Sequence, residues 1–354
     1  MSAPTLAAAA AVGATELIGA LPGRTELNRA APIPPAVAAG IRAGRTEVAD
    51  VFTGVDRRLM VIVGPCSIHD PDAGLEYATR LARQAARLGD DLLVVMRCYL
   101  EKPRSVVGWR GLVLDPDLDG TADLARGLVV ARRFLAGVAG LGLPVATEFL
   151  DPLLAPLLAE AVSWGCIGAR TTHSQTHRVL AAGLPMPVGF KNAPDGDVGA
   201  AVDAIRAARA PHVHPALDDE GRAVIVRAPG NPLTHPVLRG GTAGTNHDPA
   251  AVAAALAALR AAGLPAAVVV DASHANSGKD HRRQPAVAAD LAAQVAEGNT
   301  GLVGVMLESF LEPGRQDRPH RYGQSITDAC LGWDGTVGVL EELALAARAR
   351  RARQ

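Results

Sequence analysis

Charged or metal-coordinating side chains stand directly after one short apolar run after another in this chain. Residues 59–63 lead into Gly-Pro-Cys66, 92–96 into Arg97, 144–147 into Glu148, and 166–169 into Arg170. Residues 187–190 lead into Lys191, 266–270 into Asp271-Ala-Ser-His274, and 302–307 into Glu308. A further run, 223–226, is followed by a Pro- and Gly-rich loop carrying Arg239-Gly-Gly. Any one of these residues could close a structural ion pair; the whole set, at strand ends that share a rim, reads as a site. It divides chemically. Arg97, Arg170, Lys191 and Arg239 ask for a ligand of high negative charge, because guanidinium forks match phosphate and carboxylate oxygens. Phosphoenolpyruvate, with both groups on three carbons, is an anion of that kind. Lys102-Pro-Arg104-Ser105 forms a second cationic cluster, suited to another phosphate. Cys66, His274, Glu308 and Asp328 offer thiolate, imidazole and carboxylate donors. That mixture suits manganese or iron and also accepts cobalt or zinc.

The elements that must position these side chains follow from the runs themselves. Nearly continuous apolar stretches resemble parallel strands buried on both faces. Asp70-Pro71, Asp151-Pro152 and Asp248-Pro249 each set an N-cap carboxylate before a first-turn proline, and Gly142, Gly183 and Gly263 stand where helices end. About eight strand–helix units suit an α/β fold of the (β/α)8 TIM-barrel type better than an open sheet. The expected layout is a disordered tail over 1–15, an N-terminal helical extension over 16–58 and a catalytic barrel over 59–354. Helices are expected over 16–27 and 35–54, packed on the barrel or on a neighbouring subunit.

Composition excludes several classes. There are 35 Lys and Arg against 36 Asp and Glu, a net charge of -1 with no basic run of the usual nucleic-acid-binding kind, which argues against a nucleic-acid partner. No apolar stretch is long enough to span a bilayer, and the Ala-rich start lacks the positive flank of a signal peptide. Four cysteines lie far apart with no Cys-x-x-Cys pair, the pattern of a reduced, cytoplasmic enzyme. Lysine occurs only at 102, 191 and 279. An ammonium differs from a guanidinium where geometry or proton transfer matters, so surviving lysines in an arginine-rich chain mark positions of interest. Lys279, five residues after His274, is expected to make an ionic contact at the rim.

Gly-Pro-Cys-Ser-Ile-His-Asp (64–70), Glu-Lys-Pro-Arg-Ser (101–105), Gly-Trp-Arg-Gly (108–111), Gly-Ala-Arg-Thr-Thr (168–172) and Gly-Phe-Lys-Asn (189–192) carry a resemblance. So do Leu-Arg-Gly-Gly (238–241), Asp-Ala-Ser-His-Ala-Asn-Ser (271–277) and Tyr-Gly-Gln-Ser-Ile-Thr-Asp-Ala-Cys (322–330). Together they resemble class I 3-deoxy-D-arabino-heptulosonate 7-phosphate (DAHP) synthases. The resemblance implies a metal-dependent barrel that condenses phosphoenolpyruvate with erythrose 4-phosphate at the entry to the shikimate pathway. It implies Cys66, His274, Glu308 and Asp328 as metal ligands, and Arg170, Lys191 and Arg239 as contacts of the phosphoenolpyruvate phosphate. Arg97 would take the carboxylate, and Arg104 and Ser105 the sugar phosphate. Glu148 joins the substrate-binding set, and Lys102 stands beside the reacting carbons as proton donor or shuttle. A homodimer or homotetramer is implied.

Several positions depart from the family pattern. His173 replaces the usual Glu after Gly-Ala-Arg-Thr-Thr, residues 212–222 are unlike typical members, and Pro185 stands where tyrosine- and phenylalanine-sensitive forms carry a small polar residue. The nearest rival, a 3-deoxy-manno-octulosonate 8-phosphate synthase using arabinose 5-phosphate, has Lys-Ala-Asn-Arg-Ser in place of Lys-Pro-Arg-Ser. A catalytically silent partner barrel would have lost a ligand or the lysine. A copy serving secondary metabolism would share the same residues.

Overall fold

The computed structural model describes residues 15–104 and 106–353. The expected tail over 1–15 therefore lies outside the described residues except for Thr15, and Ser105 lies outside them too. Among the described residues ten strands form in chain order: β1 (Leu59–Gly64), β2 (Leu92–Arg97), β3 (Val145–Glu148), β4 (Trp164–Ile167), β5 (Val188–Lys191), β6 (His212–Leu217), β7 (Ala223–Ala228), β8 (Thr234–Leu238), β9 (Val268–Asp271) and β10 (Leu302–Glu308). All but β6 and β7 close a parallel barrel in the order β1-β10-β9-β8-β5-β4-β3-β2. The helices are α1 (Arg24–Ala30), α2 (Pro35–Thr53), α3 (Pro71–Arg87), α4 (Leu124–Gly140), α5 (Ala155–Leu158), α6 (Gln175–Gly183), α7 (Gly199–Ala208), α8 (Pro249–Ala261), α9 (Gln284–Ala296) and α10 (Trp333–Ala352).

Strand alternation builds two cores. Met60, Ile62, Leu93, Val95, Val269 and Met306 fill the barrel interior, while Leu59, Val61, Val63, Leu92 and Val94 face the surrounding helices. Asp70 and Asp248 cap α3 and α8 as expected, each accepting two first-turn amides, worth about 1 kcal/mol apiece. Asp151 does not cap a helix. Its Oδ1 accepts from the Leu153 amide in a turn, and α5 begins only at Ala155.

The extension is anchored. From α2, Val48 and Val51 enter the interior cluster and close the N-terminal mouth of the barrel. Behind them Phe52 stacks on His235 with ring centroids 3.7 Å apart. Trp164 Nε1 donates to His235 Nε2 at 3.1 Å, and His235 Nδ1 donates to the Leu233 carbonyl at 3.1 Å. Burial holds this imidazole neutral, its pKa pushed down to about 3. The helix expected over 16–27 forms only as α1, beginning after Pro22-Gly23. There the chain is pressed against the β6–β7 turn: Thr25 donates its amide to the Asp219 carbonyl, and a Cβ on Gly23 would meet that same oxygen at 2.6 Å.

The run at 223–226 is not a barrel strand. It belongs to β7, which pairs antiparallel with β6 in a hairpin outside the barrel, packed on α6. The place expected for it is taken by β8, Thr-His-Pro-Val-Leu, whose Pro236 pairs in register with Phe190. Arg239 thus follows its own barrel strand directly. Polar residues and a proline hid β8, whereas the apolar β7 alternates between exposed and half-buried positions. Four other strands start one or two residues from where the apolar runs put them: β3 at 145, not 144, β4 at 164, not 166, β5 at 188, not 187, and β9 at 268, not 266.

Candidate active site

The C-terminal ends of the strands open into a pocket of about 390 Å³. Lys102, Arg104, Arg170, Lys191 and Arg239 line it together with Glu148, His274 and Asp328. Gly168 leaves room for the Glu148 carboxylate, which a Cβ there would displace. Barrel closure thus gathers cations that are scattered along the chain. Arg170 is exposed at the mouth and Lys191 is buried at 3% exposure. Arg239 is held below its usual pKa by burial first and, against the pull of Asp271, by the like charge of Arg170.

Arg97 is fully buried below the pocket. Its guanidinium lies 3.7 Å from the Tyr99 ring, donates to the Pro65 carbonyl at 2.8 Å and pairs with Glu308 at 3.0 Å. Its Nε has no acceptor. Lys191 reaches Asp271 Oδ2 at 3.1 Å, so each buried charge has a counter-charge. Asp271, at 0% exposure, is kept well below the usual carboxylate range: burial opposes its ionisation, and the charges of His274 and Lys191 outweigh that.

Cys66, Glu308 and Asp328 present donor atoms that all lie within 4.8 Å of one another. His274 Nε2 stands 3.9 Å from Glu308 Oε1, the oxygen that pairs with Arg97. These four residues could hold a divalent ion; their mixed donor set suits one of the first row. Burial, and then the Glu308 charge, push the Cys66 thiol above its usual pKa, so a thiolate here calls for a cation beside it. Lys102 Nζ, 3.1 Å from Cys66 Sγ, is one such cation. Burial works against that ammonium, but Cys66 and Glu308 prevail and hold its pKa above the ordinary lysine value. At Asp328 burial is likewise outweighed, by Lys102, His274 and Lys279, so the carboxyl sits below its usual range.

Lys279 reaches the same pocket from a left-handed backbone conformation (φ 61°), with its amide bonded to the His274 carbonyl at 2.6 Å. All three lysines of the chain therefore line one cavity. His173 is exposed in the loop after β4, three residues from Arg170. Sequence reasoning missed Gln284, which brackets Glu308 by accepting its amide at 2.9 Å and donating to its carbonyl at 3.0 Å. It also missed Tyr99, whose ring lies under Arg97 with Lys191 Nζ 5.8 Å away. Tyr99 had a signal, two residues beyond a strand-end arginine; Gln284, at the start of a helix, had none.

A match to the DAHP synthetase I family model spans residues 35–341. The chain is 50% identical over 334 residues to a phospho-2-dehydro-3-deoxyheptonate aldolase, Trp-sensitive, of Enterobacter agglomerans, covering 93% of this chain and 96% of that one. It is 48% identical over 343 residues to the phospho-2-dehydro-3-deoxyheptonate aldolase of Corynebacterium glutamicum, covering 94% and 93% respectively. A solved structure of phospho-2-dehydro-3-deoxyheptonate aldolase from Francisella tularensis SCHU S4 superposes with a TM-score of 0.93 at 43% identity, covering 95% of this chain and 99% of that one.

Proposed function

The chain belongs to the DAHP synthetase I family, and from that premise we propose how its residues divide the work of the reaction. The enzyme condenses phosphoenolpyruvate, erythrose 4-phosphate and water to 3-deoxy-D-arabino-heptulosonate 7-phosphate and phosphate, the first step of the shikimate pathway. One observation carries the division of labour: Lys102, Arg104, Arg170, Lys191 and Arg239 line one pocket, and so does Asp328, whose carboxylate lies within 4.8 Å of the Cys66 and Glu308 donors.

Arg170, Lys191 and Arg239 hold the phosphate of phosphoenolpyruvate, and Arg97 faces its carboxylate; the unpartnered Arg97 Nε supports that role. Arg104 and Ser105 take the phosphate of the sugar, and Glu148 orders the substrates between the two anchors. Cys66, His274, Glu308 and Asp328 would hold a divalent ion, manganese or iron in preference to cobalt or zinc. When bound, that ion supplies Lewis-acid polarisation of the acceptor aldehyde. C3 of phosphoenolpyruvate forms the new bond to the aldehyde carbon, and Lys102 delivers the proton to the resulting alkoxide oxygen. Water adds at C2 and phosphate leaves with its bridging oxygen. A lysine can give up and regain that proton, which a guanidinium cannot.

Phosphate release decides the reading. Purified enzyme given phosphoenolpyruvate and erythrose 4-phosphate is expected to turn over, to stop when a chelator is added and to recover with Mn2+. Turnover with arabinose 5-phosphate alone, or undiminished turnover after chelation, would overturn it. The same assay with added aromatic amino acids tests a further expectation: Pro185, exposed after α6, removes sensitivity to tyrosine and phenylalanine. No helix among the described residues is long and apolar enough to cross a membrane. A cytoplasmic homodimer or homotetramer is the proposed form, checked by fractionation and sedimentation.

A further inference from the structure

We infer that Asp271 is a positioning residue shared by the two halves of the site, steadying the Lys191 ammonium and the His274 imidazole from one carboxylate. The inference rests on the roles given above to those two residues. Asp271 ends β9 at 0% exposure, and its backbone carbonyl accepts from Asn276 Nδ2 at 2.9 Å. Oδ1 accepts from the Ser273 amide at 2.9 Å and from Ser273 Oγ at 2.5 Å. With the Ser273 hydroxyl proton committed to Asp271, a hydroxyl lone pair is what His274 Nδ1 meets at 2.7 Å. Nδ1 therefore carries the imidazole proton, and Nε2 is left as a bare donor on the side of Glu308.

Oδ2 makes no aligned hydrogen bond. It lies 2.9 Å from His274 Nδ1 and 3.1 Å from Lys191 Nζ, and holds both by charge. A substrate phosphate on Lys191 would take over part of that counter-charge. Asp271 would then act more fully on His274, making the imidazole a stronger donor. Anion binding and metal binding become coupled through one carboxylate, and linkage makes the coupling reciprocal. An asparagine cannot do this. With its carbonyl on Ser273, its NH2 faces two further donors, the Lys191 ammonium and the Nδ1 proton, and drives the imidazole toward the opposite tautomer.

The test is Mn2+ affinity, read from the electron paramagnetic resonance of the free ion, for the full-length enzyme with and without inorganic phosphate. Asp271→Asn is expected to bind Mn2+ about 10–100-fold more weakly. Phosphate is expected to tighten Mn2+ binding to the parent about fivefold or more and to leave the variant unmoved. His274→Ala separates the two levels: if it binds Mn2+ like the parent, the ligand role of His274 fails and the inference with it. If His274→Ala loses the ion while Asp271→Asn keeps parental affinity and parental coupling, the inference alone is overturned. Should Asp271→Asn not fold, Ser273→Ala decides, since it removes only the hydroxyl link. A several-fold loss of Mn2+ affinity supports the inference, and unchanged affinity overturns it.

Discussion

His235 and His274 sit at opposite ends of one barrel. At the N-terminal mouth every polar atom of His235 has a partner: Trp164 donates to one nitrogen, the Leu233 carbonyl accepts from the other, and Phe52 covers the ring. At the C-terminal rim one nitrogen of His274 is held by Ser273 and Asp271, while the other faces Glu308 Oε1 at 3.9 Å, beyond hydrogen-bond reach. The first end is covered by α2, and the His235 ring has no free polar atom there. The second leaves Arg97 Nε and a group of cations for a ligand to satisfy. Buried unsatisfied groups cost stability, so a fold tolerates them where a ligand completes them.

If that division holds, changes at the rim should remove activity and spare stability, and changes at the closed mouth should do the reverse. Lys102→Arg is the largest expected effect. It keeps the positive charge beside Cys66 but removes a transferable proton, so kcat should fall on the order of 10²–10⁴-fold with KM for phosphoenolpyruvate little changed. Steady-state kinetics check this, and turnover near the parent rate would sink the proton-transfer role.

Trp164→Phe comes next. It strands His235 Nε2 without a donor and leaves a gap in the barrel interior, at about 2–3 kcal/mol of unfolding free energy. Denaturant melts should show that loss while kcat of the folded fraction stays at the parent value; a parallel fall in kcat would break the separation of the two ends.

Glu101 gives the smallest and sharpest test, because it is buried just below the rim. Burial, eased by the Leu150 amide and aggravated by Asp151, raises its pKa to about 7 from a usual 4.5. A carboxyl whose pKa is raised on folding stabilises below its unfolded value, and that contribution is lost as pH climbs through the folded one. Glu101→Gln should therefore match the parent near pH 4.5 and gain on it by on the order of 1–2 kcal/mol by pH 8. Thermal melts across that range read the gap, and a gap that shrinks with rising pH would contradict the sign.

Much of this was legible in the chain itself. Seven of the eight barrel strands announce themselves as apolar runs, and each of those is followed by the residue that reaches the rim. β8 was not legible, because Thr234, His235 and Pro236 read as loop until Trp164 and Phe52 surround the histidine. β7 was legible as a strand and misplaced, because apolar composition does not say which sheet a strand joins. Lys102, Lys191 and Lys279 stood out among the arginines, but nothing in their spacing tells which anion each would meet.

The sequence by itself determined the alternation of buried strands and capped helices, and with it the residue type at each strand end, since both follow from local periodicity and backbone chemistry. Only the tertiary structure decided which strand ends are neighbours. Cys66 meets the Asp328 amide across 262 residues, and Asp271 divides its charge between Lys191 on β5 and His274 beyond β9. Those contacts exist because a closed barrel brings its first and last strands into register, which no local pattern encodes.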